Sequence, residues 1–518
     1  MNNAGPENAF LFNGNVLTLD GRDTVATGLL IEGGRITSVA AADERLKAGY
    51  RTVDLEGATV LPGFIDPHAH PLSLGSALRA IDCSPPAVTS IAGIVRRITE
   101  VAGDPERSSE AWIRARGYDE LRLAEGRHPT ATDLDNAAPG RCVRLSHEGG
   151  HGDVLSTAAM NAVGINRDST PPPGTTIERD PATGDPTGVL FEMGGWLRDR
   201  MPSPSNDALG DYAAAASRAL AAAGVTAVTD AGRDNTSDRL SLYAELIAKA
   251  SFTPRPTVML SADSDYPDPE STPGVRAGAT KIAITFSSGQ MHPDFDDLVA
   301  LISAAHRIGR QVAVHAIEIE AVVMACQAFR AVGPRDQIAN LRHRIEHASE
   351  CPPEIAEMVA DNGLSVVTQP GFIHDRADRY LNAQSDGGAD PRHLYAIQNL
   401  LAARVPVAGS SDAPFGPTSP LIGIQTAVTR ASSGGQQIGP EQAISVGEAL
   451  RLYGPGAAWL DHQEAEAGSL ESGKRADLVV IERDPHKIDP KEIGAISVLA
   501  TVIGGELVYG SLPGHPGN

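Results

Sequence analysis

Segments of β-forming residues alternate with helical segments over residues 208–412, and this alternation restricts the fold more than any other feature of the chain. Together with the apolar run that ends at His70, we predict eight strands, at residues 61–70, 225–230, 255–260, 280–286, 311–315, 341–347, 364–369 and 405–412. Eight strands that alternate with helices predict an α/β fold of the (β/α)8 TIM-like barrel type. The active site of such a barrel lies at the C-terminal ends of its strands.

Short alternating apolar runs at both ends of the chain predict a second, smaller domain. Between residues 9 and 60 the runs are separated by the turn dipeptides Asn13-Gly14 and Gly33-Gly34, a pattern typical of hairpins. A similar texture returns over residues 476–509. Neither piece has enough strands to bury a face alone. We therefore predict a composite β-sandwich domain of residues 1–60 and 465–518, with the barrel of residues 61–464 between its two parts.

The stretch of about residues 71–206 does not follow the regular alternation. It contains a predicted helix over residues 91–101 and strand-like segments over residues 111–116 and 142–146. A structureless loop of this length would be unusual inside a compact domain. We therefore expect a folded insertion after the first barrel strand.

His68 and His70 stand two residues apart at the end of the first predicted strand. Side chains at positions i and i+2 of an extended backbone point the same way, so the two imidazoles can converge on one ion. The alternative is a pair of polar residues in a loop mouth. The apolar strand before them and further candidate ligands downstream favour a metal site.

Those further candidates lie on other predicted strands. Lys281 is on the fourth strand, and His315, His347 and Asp412 end the fifth, sixth and eighth. Residues at the strand ends of a barrel converge on its axis, so sequence distance does not keep them apart. The pattern predicts a metal centre at this mouth of the barrel.

Several segments resemble the amidohydrolase superfamily of metal-dependent hydrolases, and within it the YtcJ-like branch that includes N-substituted formamide deformylase. The resemblance is carried by residues 61–70, 314–317, 344–348, 409–414 and 468–480. The order of the ligand types is specific for the superfamily. Residues 187–192 and 499–505 point more loosely to the branch.

The resemblance implies a set of ligands. His68 and His70 would bind the more buried divalent ion together with Asp412, and His315 and His347 would bind a second ion, most simply zinc in both positions. Lys281 would bridge the ions after carbamylation, because an amine bridges two cations poorly whereas a carbamate offers two anionic oxygens. The alternative is that Lys281 is unmodified, with its aliphatic stem packed in the barrel, and that the site binds a single ion.

The resemblance also implies a reaction. A divalent ion lowers the pKa of bound water and polarises a carbonyl. Asp412 would take the proton of the attacking hydroxide and pass it to the departing amine; it could also serve as a helix N-cap. We predict hydrolysis of a non-peptide C–N bond, as in an amide, formamide, carbamate or cyclic amide. Deamination, isomerisation or decarboxylation by the same ions are alternatives. A non-catalytic ligand-binding role is disfavoured, because no candidate ligand is missing.

Predicted substrate contacts are His147, Glu148 and His151 in the insertion, for which the alternative is a solvated turn, Gln369 at the end of the seventh strand, and His374 in the loop that follows it. Alternation along the sixth strand turns Glu346 away from His347, so we expect Glu346 to be structural. Relatives commonly carry Gly-Asp-Arg where this chain has Glu318-Ile319-Glu320, and an Asp-Gly pair near residues 284–287. These departures concern substrate choice and leave the ligands intact.

Charge and cysteine content restrict partners and compartment. With 65 acidic and 43 basic residues, the formal charge of −22 repels phosphate backbones and anionic lipid headgroups. We therefore expect a small-molecule substrate and neither nucleic acid nor membrane as a partner. Four scattered cysteines and the absence of a leader-like or membrane-spanning segment predict a cytoplasmic protein. A homodimer is expected by family analogy alone.

Overall fold

The computed structural model of the chain describes residues 8–40, 50–104, 112–150, 152–172, 174–267, 269–287, 290–385 and 389–513. In chain order the strands are β1 (Asn8–Phe12), β2 (Asn15–Leu17), β3 (Val25–Ala26), β4 (Gly28–Glu32), β5 (Arg35–Ala40), β6 (Arg51–Asp54), β7 (Thr59–Pro62), β8 (Phe64–Ala69), β9 (Ile81–Asp82), β10 (Trp112–Tyr118), β11 (Cys142–His147), β12 (Gly152–Leu155), β13 (Thr176–Arg179), β14 (Pro186–Phe191), β15 (Val225–Asp230), β16 (Arg255–Ser261), β17 (Arg276–Ala283), β18 (Thr285–Ser287), β19 (Gln290–His292), β20 (Val312–Ala316), β21 (Arg344–His347), β22 (Ser365–Thr368), β23 (Val407–Gly409), β24 (Leu478–Ile481), β25 (Val498–Ile503) and β26 (Glu506–Gly510).

The helices are α1 (Pro71–Arg79), α2 (Ile91–Ala102), α3 (Ala131–Ala137), α4 (Thr157–Val163), α5 (Gly194–Arg198), α6 (Asn206–Ala222), α7 (Ser237–Ala248), α8 (Phe295–Arg307), α9 (Ile319–Val332), α10 (Arg335–Asn340), α11 (Pro353–Asp361), α12 (Gly371–Ser385), α13 (Ile397–Ala402), α14 (Pro420–Thr429), α15 (Val446–Leu452) and α16 (Pro455–Leu460). Short 3-10 turns connect some of these elements. In the described ranges, no helix combines the length and the hydropathy that a bilayer crossing requires.

The central element is a parallel sheet of eight strands, in the order β8, β15, β16, β17, β20, β21, β22 and β23. The predicted mixed α/β barrel is therefore confirmed as a nearly closed parallel barrel. Just beyond the strands, the N–H of Asp412 donates to the carbonyl of His68 at 2.9 Å, and the N–H of His70 donates to the carbonyl of Ala413 at 2.8 Å. These two bonds join the first and last strands at the C-terminal mouth.

The first predicted strand is divided at Gly63. Strand β7 pairs antiparallel with β24, whereas β8 pairs with β15 of the barrel, so the two halves belong to different sheets. A Cβ atom on Gly63 would lie 2.3 Å from the side chain of Thr226, which only a glycine avoids. The single predicted strand of residues 61–70 was wrong in this respect, because the apolar run hides the change of sheet.

Strands from the two chain termini form two further sheets. One has the order β5, β4, β1 and β6, and the other has the order β26, β25, β24, β7, β2 and β3. Buried residues of both sheets share one apolar cluster, which includes Leu11, Ile31, Val60, Val480 and Val502. The N-terminal and C-terminal segments thus contribute to a common core.

The described residues within 72–215, with those within 286–290, form a compact unit of their own, and the other described residues form a second unit. The unit of residues 72–215 contains a six-stranded sheet in the order β13, β14, β12, β11, β10 and β9. Helix α2 begins where Ser90 accepts a hydrogen bond from the N–H of Gly93, and it packs Ile94 and Ile98 into the apolar core of this sheet. This stretch is folded, and its helix lies within a residue of the prediction.

Candidate metal centre

The first barrel strand carries two histidines into the mouth of the barrel. All of β8 is buried, including His68, whereas the side chain of His70 just after the strand keeps 23% of its exposure. The ring centroids of His68 and His70 are 5.7 Å apart. The two-residue spacing therefore places both imidazoles on one side, as the sequence predicts.

Asp412 faces this pair from the end of the last strand. Its Oδ1 lies 3.1 Å from His70 Nε2 and 3.6 Å from His68 Nε2. One ligand atom from each of the three residues lies within 4.8 Å of the others, a spacing that one ion can satisfy. Burial raises the pKa of Asp412, but the neighbouring imidazoles of His68 and His70 outweigh burial and hold this pKa well below its usual range. The carboxylate is therefore ionised, as a ligand must be.

His315 and His347 lie beside the same pair. Their ring centroids are 4.4 Å apart, and the ring of His347 is 4.8 Å from that of His68. Burial lowers the pKa of His68 to about 3 and that of His315 well below its usual value. Neutral imidazoles are the form that binds metals.

Lys281 is buried on β17, on the barrel strand next to the one that carries His315. Burial lowers the pKa of its amine, and the carboxylates of Glu346 and Asp412 oppose this effect. The structure thus brings together all six residues that the sequence proposes as ligands.

The residues present fit a divalent metal. Lys281 Nζ and His347 Nε2 are buried and have no hydrogen-bond partner among the described residues. A buried polar atom without a partner costs about 1–3 kcal/mol. An ion bound among them removes that penalty, and imidazole nitrogen with carboxylate oxygen is a donor set that zinc accepts.

Glu346 does not point away from the centre, contrary to our expectation. Its Oε2 forms a short contact with His68 Nδ1, and its Oε1 accepts a hydrogen bond from Arg344 at 2.7 Å. The alternation rule fails because His347 ends the strand with a positive φ of 76°. No pattern in the sequence marks this residue, since the rule assumes that the strand continues.

Gln369 is fully buried beside His347. Its Oε1 lies 2.8 Å from His347 Nδ1, and its amide nitrogen donates to Ser410 Oγ at 3.0 Å. The predicted substrate contact has no support in this geometry, because both polar atoms of Gln369 are occupied and its side chain has no exposed surface. Its observed contact is with the ring of His347.

Asp66 ties the first strand to the last, and sequence reasoning missed it. Its Oδ2 accepts from Ser411 Oγ at 2.5 Å, and its Oδ1 accepts from the N–H of Ser411 at 3.1 Å. Burial raises the pKa of Asp66 to about 6. This contact holds the segments that carry His68 and Asp412 in register.

The other predicted substrate contacts are described by their own neighbours. The Nδ1 of His374 on α12 is 2.8 Å from the carboxylate of Asp375. In the unit of residues 72–215, His147 Nε2 lies 2.8 Å from Glu120 Oε2, and the N–H of Glu148 donates to the carbonyl of Tyr118 at 3.0 Å. His151 lies outside the described residues.

A parallel β/α barrel with histidine, lysine and aspartate side chains grouped at one mouth is the arrangement typical of metal-dependent hydrolase barrels. The profile of the amidohydrolase family matches residues 51–509, and the chain belongs to that family.

Named relatives agree with this assignment. The chain is 28% identical to the N-substituted formamide deformylase of Arthrobacter pascens, over 96% of this chain and 98% of the relative. It is 29% identical to the amidohydrolase YtcJ of Bacillus subtilis (strain 168), over 93% of this chain and 97% of the relative. The fold is similar to that of a metal-dependent hydrolase from Pyrococcus horikoshii OT3, with a TM-score of 0.76, 21% identity, and coverage of 93% of this chain and 99% of that structure.

Proposed function

We propose that this protein is a metal-dependent hydrolase that cleaves a non-peptide C–N bond, as in a formamide, amide, carbamate or cyclic amide. The observation that carries the proposal is the approach of His68, His70 and Asp412 within 4.8 Å of one another, at the C-terminal mouth of the barrel. Similarity to an N-substituted formamide deformylase over almost the whole chain supports the substrate class.

We assign different parts of the reaction to the metal ion and to the side chains of the protein. When bound, a divalent ion, most simply zinc, lowers the pKa of water and polarises the carbonyl of the substrate. His68, His70 and Asp412 would hold one ion, and His315 with His347 would hold a second. The ionised carboxylate of Asp412 accepts a proton from the attacking water and transfers it to the nitrogen of the departing amine. Without that transfer the leaving group would be an amine anion, which departs slowly.

Lys281 is proposed to be carbamylated. Burial favours the neutral amine, whose lone pair can attack carbon dioxide. A bond forms between Nζ and carbon, one C–O π bond becomes the carbamate anion, and Nζ releases a proton. The product replaces a buried nitrogen that has no partner with two anionic oxygens, which hard divalent cations favour.

Four of the predicted substrate contacts remain proposals: His147, Glu148, His151 and His374. The neighbouring carboxyls Glu318, Glu320 and Glu350 form an acidic group after the fifth and sixth barrel strands. Burial raises the pKa of Glu350, and Glu318 and Glu320 raise it further. Within this group, Glu318 and Glu320 stand where relatives commonly carry a Gly-Asp-Arg segment, a difference that we propose affects substrate choice.

Organisation and partners are proposed with the activity. We propose that residues 1–60 and 465–518 form a composite β-sandwich domain beside a barrel of residues 61–464, which carries an insertion at about residues 71–206. We also propose a homodimer that acts on a small molecule in the cytoplasm. The four free cysteines support a reducing compartment.

The test is a screen of amine release. The zinc-loaded protein is incubated with N-formyl amines, anilides, carbamates, ureas and lactams, and with an Xaa-Pro dipeptide, and the released amine and acid are quantified. We expect equal amounts of amine and acid from at least one non-peptide substrate. Chelation should abolish release, and added zinc should restore it.

Asp412→Asn is the matched variant of this screen. Its amide oxygen can still bind an ion, but the side chain cannot shuttle a proton, so turnover should fall by about 10²–10⁴-fold while zinc remains bound. Cleavage of the dipeptide alone would contradict the proposed substrate class. Full activity of Asp412→Asn would contradict the role of Asp412, and release of ammonia instead of a substituted amine would indicate deamination.

A further inference from the structure

A network of four buried side chains extends from His68 away from the mouth of the barrel: His68, Glu346, Arg344 and Asp461. His68 Nδ1 contacts Glu346 Oε2, the Nε of Arg344 donates to Glu346 Oε1 at 2.7 Å, and the Nη1 of Arg344 donates to Asp461 Oδ1 at 2.8 Å. The side chains of these four residues are 2%, 0%, 1% and 4% exposed in that order. All four side chains of the network are therefore shielded from water.

Arg344 and Thr229 hold the two ends of this network. The Nη2 of Arg344 donates to the backbone carbonyl of Pro67 at 3.1 Å, directly before His68. At the far end, the hydroxyl of Thr229 donates to Asp461 Oδ2 at 2.8 Å. Each carboxylate therefore has a donor on both oxygens, and Glu346 is held in one orientation.

Stability alone is a poor reason for such an arrangement. Removing charges from water is expensive, and apolar replacements of buried ion pairs are often neutral or stabilising. The network of buried side chains has a more specific effect, because it determines which nitrogen of His68 carries the proton. A carboxylate at Nδ1 requires the proton on that nitrogen, which leaves the lone pair of Nε2 facing Asp412. By contrast, Nδ1 of His347 meets the neutral amide of Gln369.

We propose that Glu346, braced by Arg344 and Asp461, is a positioning residue that fixes the tautomer of His68 and strengthens Nε2 as a metal donor. The inference rests on the metal centre of the proposed function. It assigns a task to a buried carboxylate that lies outside the ligand set. The negative charge of Glu346, and not only its shape, tightens binding of the ion shared by His68, His70 and Asp412.

Glu346→Gln tests the charge, because it keeps the shape of the side chain. Zinc affinity of the metal-free protein is measured by competition with a chromophoric chelator, without substrate. Loss of such a hydrogen-bond partner typically weakens metal binding by about 10–100-fold, and we expect a zinc Kd raised by this factor. The visible absorption bands of the cobalt-loaded variant should shift as well, because the ligand field of His68 changes.

Asp477→Asn is the matched control. Asp477 is as buried as Asp461, and its carboxylate accepts hydrogen bonds from Arg255 at 3.0 Å and Arg475 at 2.9 Å. None of its side-chain contacts is a proposed ligand. This variant should lower Tm but leave the zinc Kd and the cobalt spectrum unchanged. A purely structural role for Glu346 would make the two variants behave alike.

Arg344→Lys extends the test if Glu346→Gln does not fold. It keeps a positive charge but loses the fork that joins Glu346, Asp461 and the Pro67 carbonyl, so we expect a smaller rise in the zinc Kd with a shift in the cobalt spectrum. Tight wild-type binding that neither variant alters would overturn this inference alone. A wild-type chain that binds neither zinc nor cobalt would overturn the proposed function and this inference together.

Discussion

The backbone N–H of Asp412 donates to the carbonyl of His68 at 2.9 Å, so two proposed ligands from the first and last barrel strands are joined through their main chains. Asp412 adopts a positive φ of 51°, which is uncommon for a residue other than glycine. The last barrel strand ends before it, at Gly409, and the carboxylate of Asp412 lies against His70. The position of the carboxylate is therefore set by the backbone, and a change of side chain at residue 412 need not disturb the histidines.

Lys281 should carry a labile modification. If the carbamate forms, the intact protein measured under mild conditions will be heavier by one carbon dioxide, and acidification will remove that mass. Lys281→Met should remove the mass increase and lower the metal content by one ion per chain, because the bridging ligand is lost. An unmodified Lys281 in a protein that holds a single ion would favour a mononuclear centre.

Phe415 should contribute to substrate affinity. Its ring centroid is 5.8 Å from that of His70, and its side chain is 42% exposed. The guanidinium of Arg376 donates to the Phe415 carbonyl at 2.5 Å, and the Phe415 N–H donates to the Asp412 carbonyl at 2.9 Å, so the aromatic ring stands on a fixed backbone.

For a substrate with an apolar group, Phe415→Ala should lower kcat/KM by about tenfold, mainly through KM, and leave zinc content unchanged. Steady-state kinetics on paired apolar and polar substrates provide the measurement. Ile308→Ala, which also removes an exposed apolar side chain but at the end of α8, should have no effect. An equal loss on both substrates would contradict apolar contact.

A buried histidine pair should make stability depend on pH. His343 Nδ1 accepts a hydrogen bond from the Val312 N–H at 2.8 Å, and its Nε2 lies 2.9 Å from His306 Nδ1. Burial, reinforced by His306, lowers the pKa of His343 from 6.5 to about 3. Below pH 6.5 the unfolded chain takes up a proton at His343 that the folded chain cannot accept.

The contribution of His343 to stability is therefore full above pH 6.5 and decreases as the pH falls toward 3. His343→Asn retains an acceptor for the Val312 N–H but does not titrate, so its unfolding free energy should fall less steeply over that window. Denaturant unfolding of both metal-free proteins across the window provides the comparison, and the shared ligand histidines cancel in the difference. Parallel curves for the two proteins would contradict the prediction.

Arg430 should be a major determinant of stability. It is fully buried, with a positive φ of 53°, and its guanidinium donates to the carbonyls of Leu394 at 2.7 Å, Tyr395 at 2.9 Å and Ile438 at 3.0 Å. Arg430→Met leaves these carbonyls without donors and should lower the unfolding free energy by about 3 kcal/mol or more. Chemical denaturation measures this loss.

The control for Arg430 is an exposed arginine. Arg392 pairs with Asp390 at 2.6 Å, but its side chain is 68% exposed. Because exposed ion pairs contribute at most about 1 kcal/mol, Arg392→Met should change stability little. Equal losses in the two variants would show that burial of the Arg430 network is not what matters.

The barrel and the grouping of the candidate ligands at its mouth were accessible from the sequence because both depend on local patterns. The alternation of strands and helices predicts the barrel. Residues that follow barrel strands, such as His68, His315 and Asp412, are expected at the same mouth because the C-terminal ends of the strands converge there. The family assignment is confirmed by the profile match. The roles of the individual site residues stay predictions, as do the number of bound ions, the identity of the metal as zinc and the homodimeric state.

The contacts that hold the ligands were not accessible. Asp66 and Ser411 meet through tertiary folding alone, and nothing near either residue marks the other as its partner. Glu346 was misplaced because a periodic rule cannot foresee a positive φ at His347. Gln369 was identified as polar at a strand end, but its burial depends on Ser410 of the neighbouring strand.

The bond between Asp412 and His68 also has a consequence for the order of events during synthesis. Domains begin to fold from the N-terminus while the ribosome is still translating. His68 leaves the ribosome early, but Asp412 follows only after the seven other barrel strands have been made. If Asp412 is a ligand as proposed, the site gains its full ligand set late in synthesis, because nascent chains that end before residue 412 lack that carboxylate.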